Sequence, residues 1–437
     1  MARHEATRTA VQSAAAVCPS VIASSLVQVF LCTRSPRLLF CLVVNGEPCD
    51  VAIAGGGLVG LSLAYELVCR GAQVTLIDAG HPGRATDAGA GILAPDTHPT
   101  TERFWWELTH GAGDHYPLLL DRLRQDGVDT EPSGYDRCGL LSIGLRESEE
   151  SWFGPFAERV MSRADGRVRE ITPDDAVALF PPLGTVHRVL HYPGACRIDG
   201  RGMAGALRQA AAARGVRFIS GTVCGVRADP HAEPSSLAEP SSHAEPSSRT
   251  VQRIDVDGQD EVRCGALAVA GGAWSASMGE WLGCKLPMFP TKGQIVHLGI
   301  TKESGEWPIL QPLLTHYLVP WPGGRVACGG TFEPSAGFSA TVTAAGLHEL
   351  LRECLMVAPG LAEATYLETR VGLRPTSPDD RPVLGPVPGW RNVWVATGHG
   401  ANGLLLGPYS AKLLAQQMLD EPTEIPIAVE LDPSRFT

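Results

Sequence analysis

The chain has 437 residues, 44% of them hydrophobic, so it can bury a sizeable core and form two or three domains at roughly 100–200 residues each. Its formal net charge of −11 leaves no excess of Lys and Arg to bind the phosphates of a nucleic acid. The same charge gives no strong attraction to an anionic lipid surface, so neither nucleic acids nor membranes are expected partners.

The 12 cysteines are scattered along the chain, and no two of them form a C-x-x-C pair. This spacing argues against a zinc ribbon and against a dithiol redox motif. We therefore expect no metal site, and we interpret the cysteines as reduced thiols of a cytoplasmic protein.

Segment 1–48 differs in composition from the rest of the chain, with several arginines, two acidic residues and no clear periodicity. Its apolar stretch, Val21–Val44, is interrupted by two arginines and a proline, and falls short of the ~18 apolar residues of a membrane span. The segment is compatible with a cleaved signal, with a transit-like peptide, or with a gene that starts near Val43 or Val44 on a non-Met codon. We favour the last interpretation and expect 1–48 to be a disordered or mis-assigned extension outside the fold.

A β–α–β unit opens the folded part. Val51–Ala54 is a short apolar run, and Leu58–Arg70 follows with apolar residues at helical spacing. Gly71 ends the helix, and Val74–Ile77 is a second run typical of a buried strand. Such a unit predicts the start of a doubly wound parallel sheet.

The turn between the first strand and the helix reads G-G-G-L-V-G and fits the G-x-G-x-x-G motif through Gly55, Gly57 and Gly60. Gly55 permits the tight turn, Gly57 lets the backbone approach a pyrophosphate, and Gly60 lets the helix pack closely on the strand. Asp78 ends the second strand, where a carboxylate accepts ribose hydroxyls and repels a 2′-phosphate. Together these features predict a dinucleotide site and disfavour NADP.

The middle of the chain alternates between helix, strand and one low-complexity insertion. Met203–Arg214 is an Ala-rich helix, Val216–Ile219 a strand, and Val251–Val256 a returning strand. Residues 231–248 repeat a unit of the form H-A-E-P-S-S, which has nothing to bury. We expect this repeat to be a disordered surface insertion that lengthens a hairpin loop.

Beyond residue 260 the pattern changes from alternating to consecutive strands and then returns. Leu267–Ala270 is a buried strand, and residues 286–370 contain several strands and one amphipathic helix: Gln294–Leu298, Tyr317–Pro320, Arg325–Gly329 and the helix Ala344–Val357. Strand, glycine turn and helix recur over Val393–Leu419.

We therefore predict an α/β fold with a Rossmann-like dinucleotide-binding domain and an α+β second domain on a mixed or antiparallel sheet. The first domain is predicted to be discontinuous, over 49–100, 190–285 and 371–420, and the second to cover 101–189 and 286–370.

Several segments together resemble the D-amino-acid oxidase superfamily of FAD enzymes, above all glycine oxidase of thiamine biosynthesis and then bacterial D-amino-acid dehydrogenases. They are, in chain order, C-D-V-A-I-A-G-G-G-L-V-G at 49–60, A-G-A-G-I-L-A-P at 88–95, G-A-C-R-I-D-G-R-G-M at 194–203, A-G-G-A-W-S at 270–275, T-H-Y-L-V-P at 315–320, G-L-R-P-T-S-P-D-D-R-P-V-L-G at 372–385 and A-T-G-H-G-A-N-G-L-L-L-G-P at 396–408. The resemblance covers about residues 49–420 apart from the repeat.

The resemblance implies FAD as cofactor and oxidation of the C–N bond of a small amino acid, namely glycine, sarcosine or a D-amino acid, to an imine that hydrolyses to an oxo acid. Hydride passes from Cα to flavin N5, while the protein orients the substrate and stabilises charge. The implied cofactor-binding residues, besides the three glycines and Asp78, are Gly91, Ile92, Gly272, Trp274, Gly398, Gly400, Asn402 and Gly403.

Arg374 matches the carboxylate-binding arginine of the family, and a guanidinium fork suits a carboxylate as a lysine cannot. Tyr317 matches the active-site tyrosine, and Phe332 stands where a related enzyme has an apolar pocket residue. His399 is either a catalytic base or, more in keeping with hydride transfer from a neutral amine, a structural residue. Lys292 is equally compatible with facing the flavin and with lying in solvent.

Two departures from the family pattern concern the substrate. Glycine oxidase has an arginine where this chain has Ala401, and Arg370 stands where the family tends to have an aromatic residue. The pocket is therefore not a copy, which makes glycine itself doubtful as the substrate.

Three alternatives for the function remain open at this point. The electron acceptor is either O₂, as in an oxidase, or a quinone or carrier, as in a dehydrogenase. A non-catalytic FAD-binding protein is the alternative of another class, and it has no need of both Arg374 and Tyr317. A homo-oligomer is compatible with the sequence.

Overall fold

The computed structural model describes residues 48–97, 102–229 and 249–437. The expectations stated for segment 1–47 and for the repeat at 231–248 fall outside these residues.

The strands are named in chain order. They are β1 (Cys49–Ala54), β2 (Val74–Asp78), β3 (Ile92–Leu93), β4 (Leu140–Gly144), β5 (Arg169–Ile171), β6 (Arg188–Tyr192), β7 (Cys196–Arg197), β8 (Arg217–Ser220), β9 (Val223–Asp229), β10 (Thr250–Val256), β11 (Val262–Val269), β12 (Phe289–Gly299), β13 (Ile309–Pro312), β14 (Tyr317–Trp321), β15 (Arg325–Gly329), β16 (Thr365–Thr376), β17 (Val383–Pro386) and β18 (Val393–Thr397).

The α-helices are named in the same way. They are α1 (Leu58–Cys69), α2 (Ala85–Ala88), α3 (Arg103–Gln125), α4 (Glu150–Arg163), α5 (Pro173–Leu179), α6 (Gly200–Ala213), α7 (Ser275–Leu282), α8 (Ala344–Val357) and α9 (Gly403–Met418). No helix in the described ranges is long and apolar enough to cross a membrane.

The first sheet has the order β17-β18-β11-β1-β2-β8, with β10 and β9 added beside β11. Neighbours from β18 to β8 run parallel, whereas β17 is antiparallel to β18. Buried strands such as β1 are apolar on both faces because α1, α3, α6 and α9 cover one face of the sheet and α7 lies on the other. The predicted β–α–β unit is therefore observed, with α1 one residue shorter than predicted.

The second sheet has the order β16-β12-β15-β14-β13-β4-β6-β5 and is mixed, since only β13 and β4 pair in parallel. Its strands alternate in side-chain direction. Val296, Leu318 and Cys328 lie on the face of the sheet that packs against α8. Ile295 and Tyr317 lie on the opposite face, which packs against α4. The predicted fold class, α/β with a mixed second sheet, is confirmed.

Two of the predicted domain boundaries, at residues 190 and 371, fall inside strands of the second sheet, β6 and β16. The division of the chain into domains stays a prediction.

Candidate active site

A long cavity lies where the carboxyl ends of β1, β2, β11 and β18 meet the β12–β16 edge of the second sheet. Loops after parallel strands gather at one edge of a sheet, so such a junction brings distant segments of the chain together. The backbone ties the two sheets directly beside the cavity, because Leu373 of β16 donates a hydrogen bond of 2.8 Å to the Gly83 carbonyl.

The glycine turn has the close contacts that the motif predicts. Gly55 has φ of +117°, and a side chain there would collide with the Ala270 carbonyl. A Cβ at Gly60 would collide with the Gly55 carbonyl, so this glycine allows α1 to approach β1. Gly57 lines the cavity, and a Cβ on it would meet only Thr86 Oγ1, at 3.4 Å. The N-terminus of α1 therefore opens onto the cavity without a side chain in front of it.

Asp78 lines the cavity at the end of β2, where the sequence placed it. Arg84 donates a hydrogen bond of 3.0 Å to its carboxylate and pairs with Asp87 as well. Arg84 was missed by sequence reasoning, because nothing in the spacing of a lone arginine after a strand distinguishes it from a surface residue. The pair places one negative and one positive charge at the end of the cavity beside the glycine turn.

Two further glycine-containing turns that the sequence singled out also line the cavity. Gly91 has φ of +85° and is followed by Ile92, and Gly272 has φ of +54°. Trp274 stacks on His81 with ring centroids 4.8 Å apart, so the wall here is aromatic.

The second sheet contributes Arg374 from β16 and Tyr317 from β14. Arg374 Nη1 donates a hydrogen bond of 2.9 Å to the Thr331 carbonyl. A Cβ built on Gly293 would lie 2.5 Å from both Nη atoms and 2.6 Å from Cζ, so the guanidinium lies flat over this glycine. A Cβ on Gly330 would lie 2.9 Å from Nη2. The arginine therefore rests on a surface that only glycines leave open.

The Tyr317 hydroxyl lies beside Gly329 and Gly330, 3.1 Å from a Cβ built on either. Burial raises the pKa of Tyr317 to about 12, although the positive charge of Arg374 acts in the opposite direction. The phenol therefore stays protonated at neutral pH and offers an O–H to the cavity.

The turn before α9 supplies His399, Gly400 and Gly403 to the cavity wall. Burial lowers the pKa of His399 to about 4, so its imidazole is neutral at physiological pH. Its Nε2 atom is buried without a hydrogen-bond partner in the described part of the protein. Gly398 and Asn402 shape this turn but do not line the cavity; Gly398 has φ of +73°, and the Asn402 backbone N–H donates a hydrogen bond to the His399 carbonyl.

Three residues considered from the sequence lie elsewhere. Phe332 does not line the cavity and is 72% exposed, so its place in the pocket wall stays a prediction. Lys292 neither faces the cavity nor lies in solvent; its side chain is 2% exposed and forms an ion pair of 3.1 Å with Glu333 on the other face of the sheet. Arg370 is ion-paired with Glu368 at 2.7 Å and with Asp199 at 3.4 Å.

The residues present fit a bound FAD. The glycine turn leaves open the space that a pyrophosphate needs, and Asp78 stands beside it at the usual place for a ribose. The same cavity is lined by Arg374, Tyr317, the start of α9 and His399, whose buried Nε2 has no hydrogen-bond partner among the described residues. Backbone N–H groups at a helix start stabilise negative charge, as a reduced flavin carries.

A family model described as FAD dependent oxidoreductase (DAO) matches residues 50–417. The uncharacterized oxidoreductase YurR of Bacillus subtilis is 34% identical over 383 residues, which cover 86% of this chain and 96% of the relative. Glycine oxidase of Pseudomonas aeruginosa is 30% identical over 372 residues, covering 84% and 94%. The solved structure of iminodiacetate oxidase from Chelativorans sp. BNC1 superposes with a TM-score of 0.77 at 34% identity, covering 88% of this chain and 99% of the other.

Proposed function

The chain belongs to the DAO family of FAD-dependent oxidoreductases, and on that premise we propose that it oxidises the C–N bond of a small amino acid with one carboxylate. The resemblance inferred from the motifs is confirmed at the level of the family, and FAD is the cofactor. The substrates we propose are glycine, sarcosine or a D-amino acid, and the product is an imine that water converts to the oxo acid and an amine or ammonia.

One observation carries this proposal. Arg374 presents a guanidinium to the cavity, and among the described residues its hydrogen bonds go to backbone carbonyls and not to an acidic side chain. A planar guanidinium without a carboxylate partner, beside a protonated phenol, is suited to bind a carboxylate through two parallel N–H···O bonds. An amino acid held there by its carboxylate places its Cα and amine toward the rest of the cavity.

The substrate end of the cavity offers one side-chain cation. Arg374 is the one Arg or Lys of the described lining besides Arg84, whose guanidinium is already paired with Asp78 and Asp87. Ala401 lines the cavity where glycine oxidase has an arginine. A single cation favours substrates with one carboxylate, because a second carboxylate would be desolvated in the cavity without a positive charge to pair with.

The remaining groups orient the substrate and exclude side reactions. Bound FAD supplies the two-electron acceptor for the hydride that leaves Cα. The Tyr317 O–H donates a hydrogen bond to the substrate carboxylate beside Arg374, which narrows its range of orientations. The neutral His399 contributes a hydrogen-bonding nitrogen at the start of α9 and no charge, so it is a poor base at neutral pH.

A panel of amino acids tests the proposal under anaerobic conditions, with loss of the visible flavin absorbance as the readout. The purified holoenzyme is mixed with glycine, sarcosine, D-alanine and D-proline, and each is matched by an amine that lacks the carboxylate, such as dimethylamine for sarcosine. We expect at least one amino acid to bleach the flavin and its carboxylate-free partner to leave it oxidised.

Air or a soluble quinone is then added to the bleached protein. Rapid return of colour in air identifies an oxidase, and return only with the quinone identifies a dehydrogenase. If dithionite reduces the flavin but no amino acid on an extended panel does, the proposed function is wrong.

A further inference from the structure

Arg374 is held in place by a carbonyl whose own position is set from the opposite face of the sheet. The segment Thr331–Glu333 follows β15 and lies alongside β12, where Lys292 and Glu333 exchange backbone hydrogen bonds of 3.0 and 3.2 Å. The Thr331 N–H donates a hydrogen bond of 3.2 Å to the Gln294 carbonyl, while the Thr331 carbonyl accepts a hydrogen bond from Arg374. The segment is thus held to β12 through an isolated β-bridge, and its Thr331 carbonyl supports the guanidinium.

The Glu333 carboxylate accepts the side-chain hydrogen bonds that fix the position of this segment. One oxygen accepts from Gln294 Nε2 at 2.7 Å and from the Thr331 hydroxyl at 2.6 Å, and the other pairs with the Lys292 ammonium at 3.1 Å. The Thr331 hydroxyl in turn accepts a hydrogen bond of 2.9 Å from the Gln294 backbone N–H. Every polar group on this side of the segment is therefore connected to Glu333.

The same network reaches α8, which packs on this face of the sheet through buried residues. Gln294 Oε1 accepts a hydrogen bond of 3.0 Å from the backbone N–H of Thr343, the residue that caps this helix. Lys292 is almost fully buried and the Glu333 side chain is 28% exposed, and burying a charge in such a pair is costly and adds little net stability. A pair of this kind directly behind a binding arginine is better explained by the geometry that it imposes.

We propose that Glu333, together with Lys292, is a positioning residue of the carboxylate site: it fixes the Thr331 carbonyl, and that carbonyl orients the Arg374 guanidinium toward the substrate. The proposal rests on the proposed function, because it presumes that Arg374 binds a carboxylate. Neither Glu333 nor Lys292 lines the cavity, so both act through Arg374.

The test replaces the ion pair with apolar side chains, which leaves no stranded charge. The double variant Lys292→Met/Glu333→Met is compared with Arg188→Met/Glu170→Met at the far edge of the same sheet, which removes the Arg188–Glu170 pair of 2.7 Å and the Arg188–Glu150 pair of 2.6 Å. The probe is sodium acetate, titrated into each oxidised holoenzyme against sodium chloride at equal ionic strength and followed by the flavin difference spectrum. Melting temperature and flavin content are measured on the same samples.

We expect the Lys292/Glu333 double variant to keep its flavin and to bind acetate about tenfold more weakly, because small misplacements of a binding group cost one to two orders of magnitude. In turnover, KM should rise by a similar factor with kcat little changed. The Arg188/Glu170 variant should bind acetate like the parent. Thr331→Val, which removes the hydroxyl and keeps the carbonyl, should weaken acetate binding in the same direction and provides a second route if the double variant does not fold.

Acetate affinity equal to that of the parent in flavin-loaded Lys292/Glu333 or Thr331 variants would overturn the positioning role, even if melting temperature falls. If the parent holoenzyme gives no difference spectrum with acetate, the result would instead contradict the carboxylate site and therefore the proposed function. The two failures are therefore distinguishable.

Discussion

Replacement of Arg374 is the most direct test of how this cavity holds its substrate. Arg374→Lys keeps a positive charge but loses the fork that lies flat over Gly293 and hydrogen-bonds the Thr331 carbonyl. Arg374→Ala removes the charge as well. Because neither change alters the glycine turn or Asp78, both variants should retain FAD.

The expected magnitude follows from the bond that is lost. A hydrogen bond to a charged group contributes roughly 1.5–3 kcal/mol, and each 1.36 kcal/mol is tenfold, so Arg374→Lys should lower kcat/KM by about 10- to 150-fold. Arg374→Ala should cost more, because it leaves the substrate carboxylate without a cation in a partly desolvated cavity.

The assay is the rate of anaerobic flavin reduction over a range of substrate concentration, with flavin content measured on the same sample. A carboxylate-free amine serves as control, since its reaction, however slow, should be nearly insensitive to the change. If Arg374→Ala turns over amino acids as well as the parent does, or loses its flavin, the arginine is structural and the proposed substrate class loses its main support.

Three further predictions follow from the same structure. We expect FAD to be held non-covalently, so acid precipitation should release all of it to the supernatant, and flavin left on the pellet would contradict this. Gly293→Ala should lower kcat/KM at least about tenfold, because a Cβ there lies 2.5 Å from the Arg374 guanidinium, whereas Gly299→Ala in the same strand, which meets only a leucine side chain, should not. Burial lowers the pKa of His115 to about 4, below the ~6.5 of a histidine in the unfolded chain. Between these two pH values the unfolded state binds more protons than the folded state, so the free energy of unfolding decreases as the pH is lowered. Urea unfolding should show a loss of about 2 kcal/mol from this group between pH 7 and pH 5, which His115→Leu removes and the exposed His348→Gln does not.

The cofactor half of the cavity could be predicted from the sequence because the residues that form it lie close together in the chain. Gly55 and Gly60 make close contacts that a side chain would not allow, and β1, α1 and β2 follow one another within a few residues. Periodicity and glycine placement then suffice to predict the unit. Asp78 was found in the same way, at the end of the second strand.

The substrate half was predicted less well because β12 and β16 depend on each other. The sequence indicated a strand only over Gln294–Leu298, whereas β12 begins at Phe289, and β16 was not predicted at all. Both carry residues that are unfavourable in strands, and Pro290 pairs opposite Pro375. Pairing along the full length of these two strands outweighs the local preferences, and no window of a single segment contains that information.

The sequence by itself determined the fold class, the dinucleotide turn and the identity of Arg374 and Tyr317 as candidates, since each is encoded in a short motif. Only the tertiary structure decided what surrounds them. It buried Lys292 against Glu333 on the far face of the sheet, paired Arg84 with Asp78, and left Phe332 exposed. The physical reason is that a charged side chain is stabilised by partners that only the folded backbone brings within reach. The bridge between β12 and Glu333 places that carboxylate beside Lys292, and the turn after β2 folds Arg84 back onto Asp78.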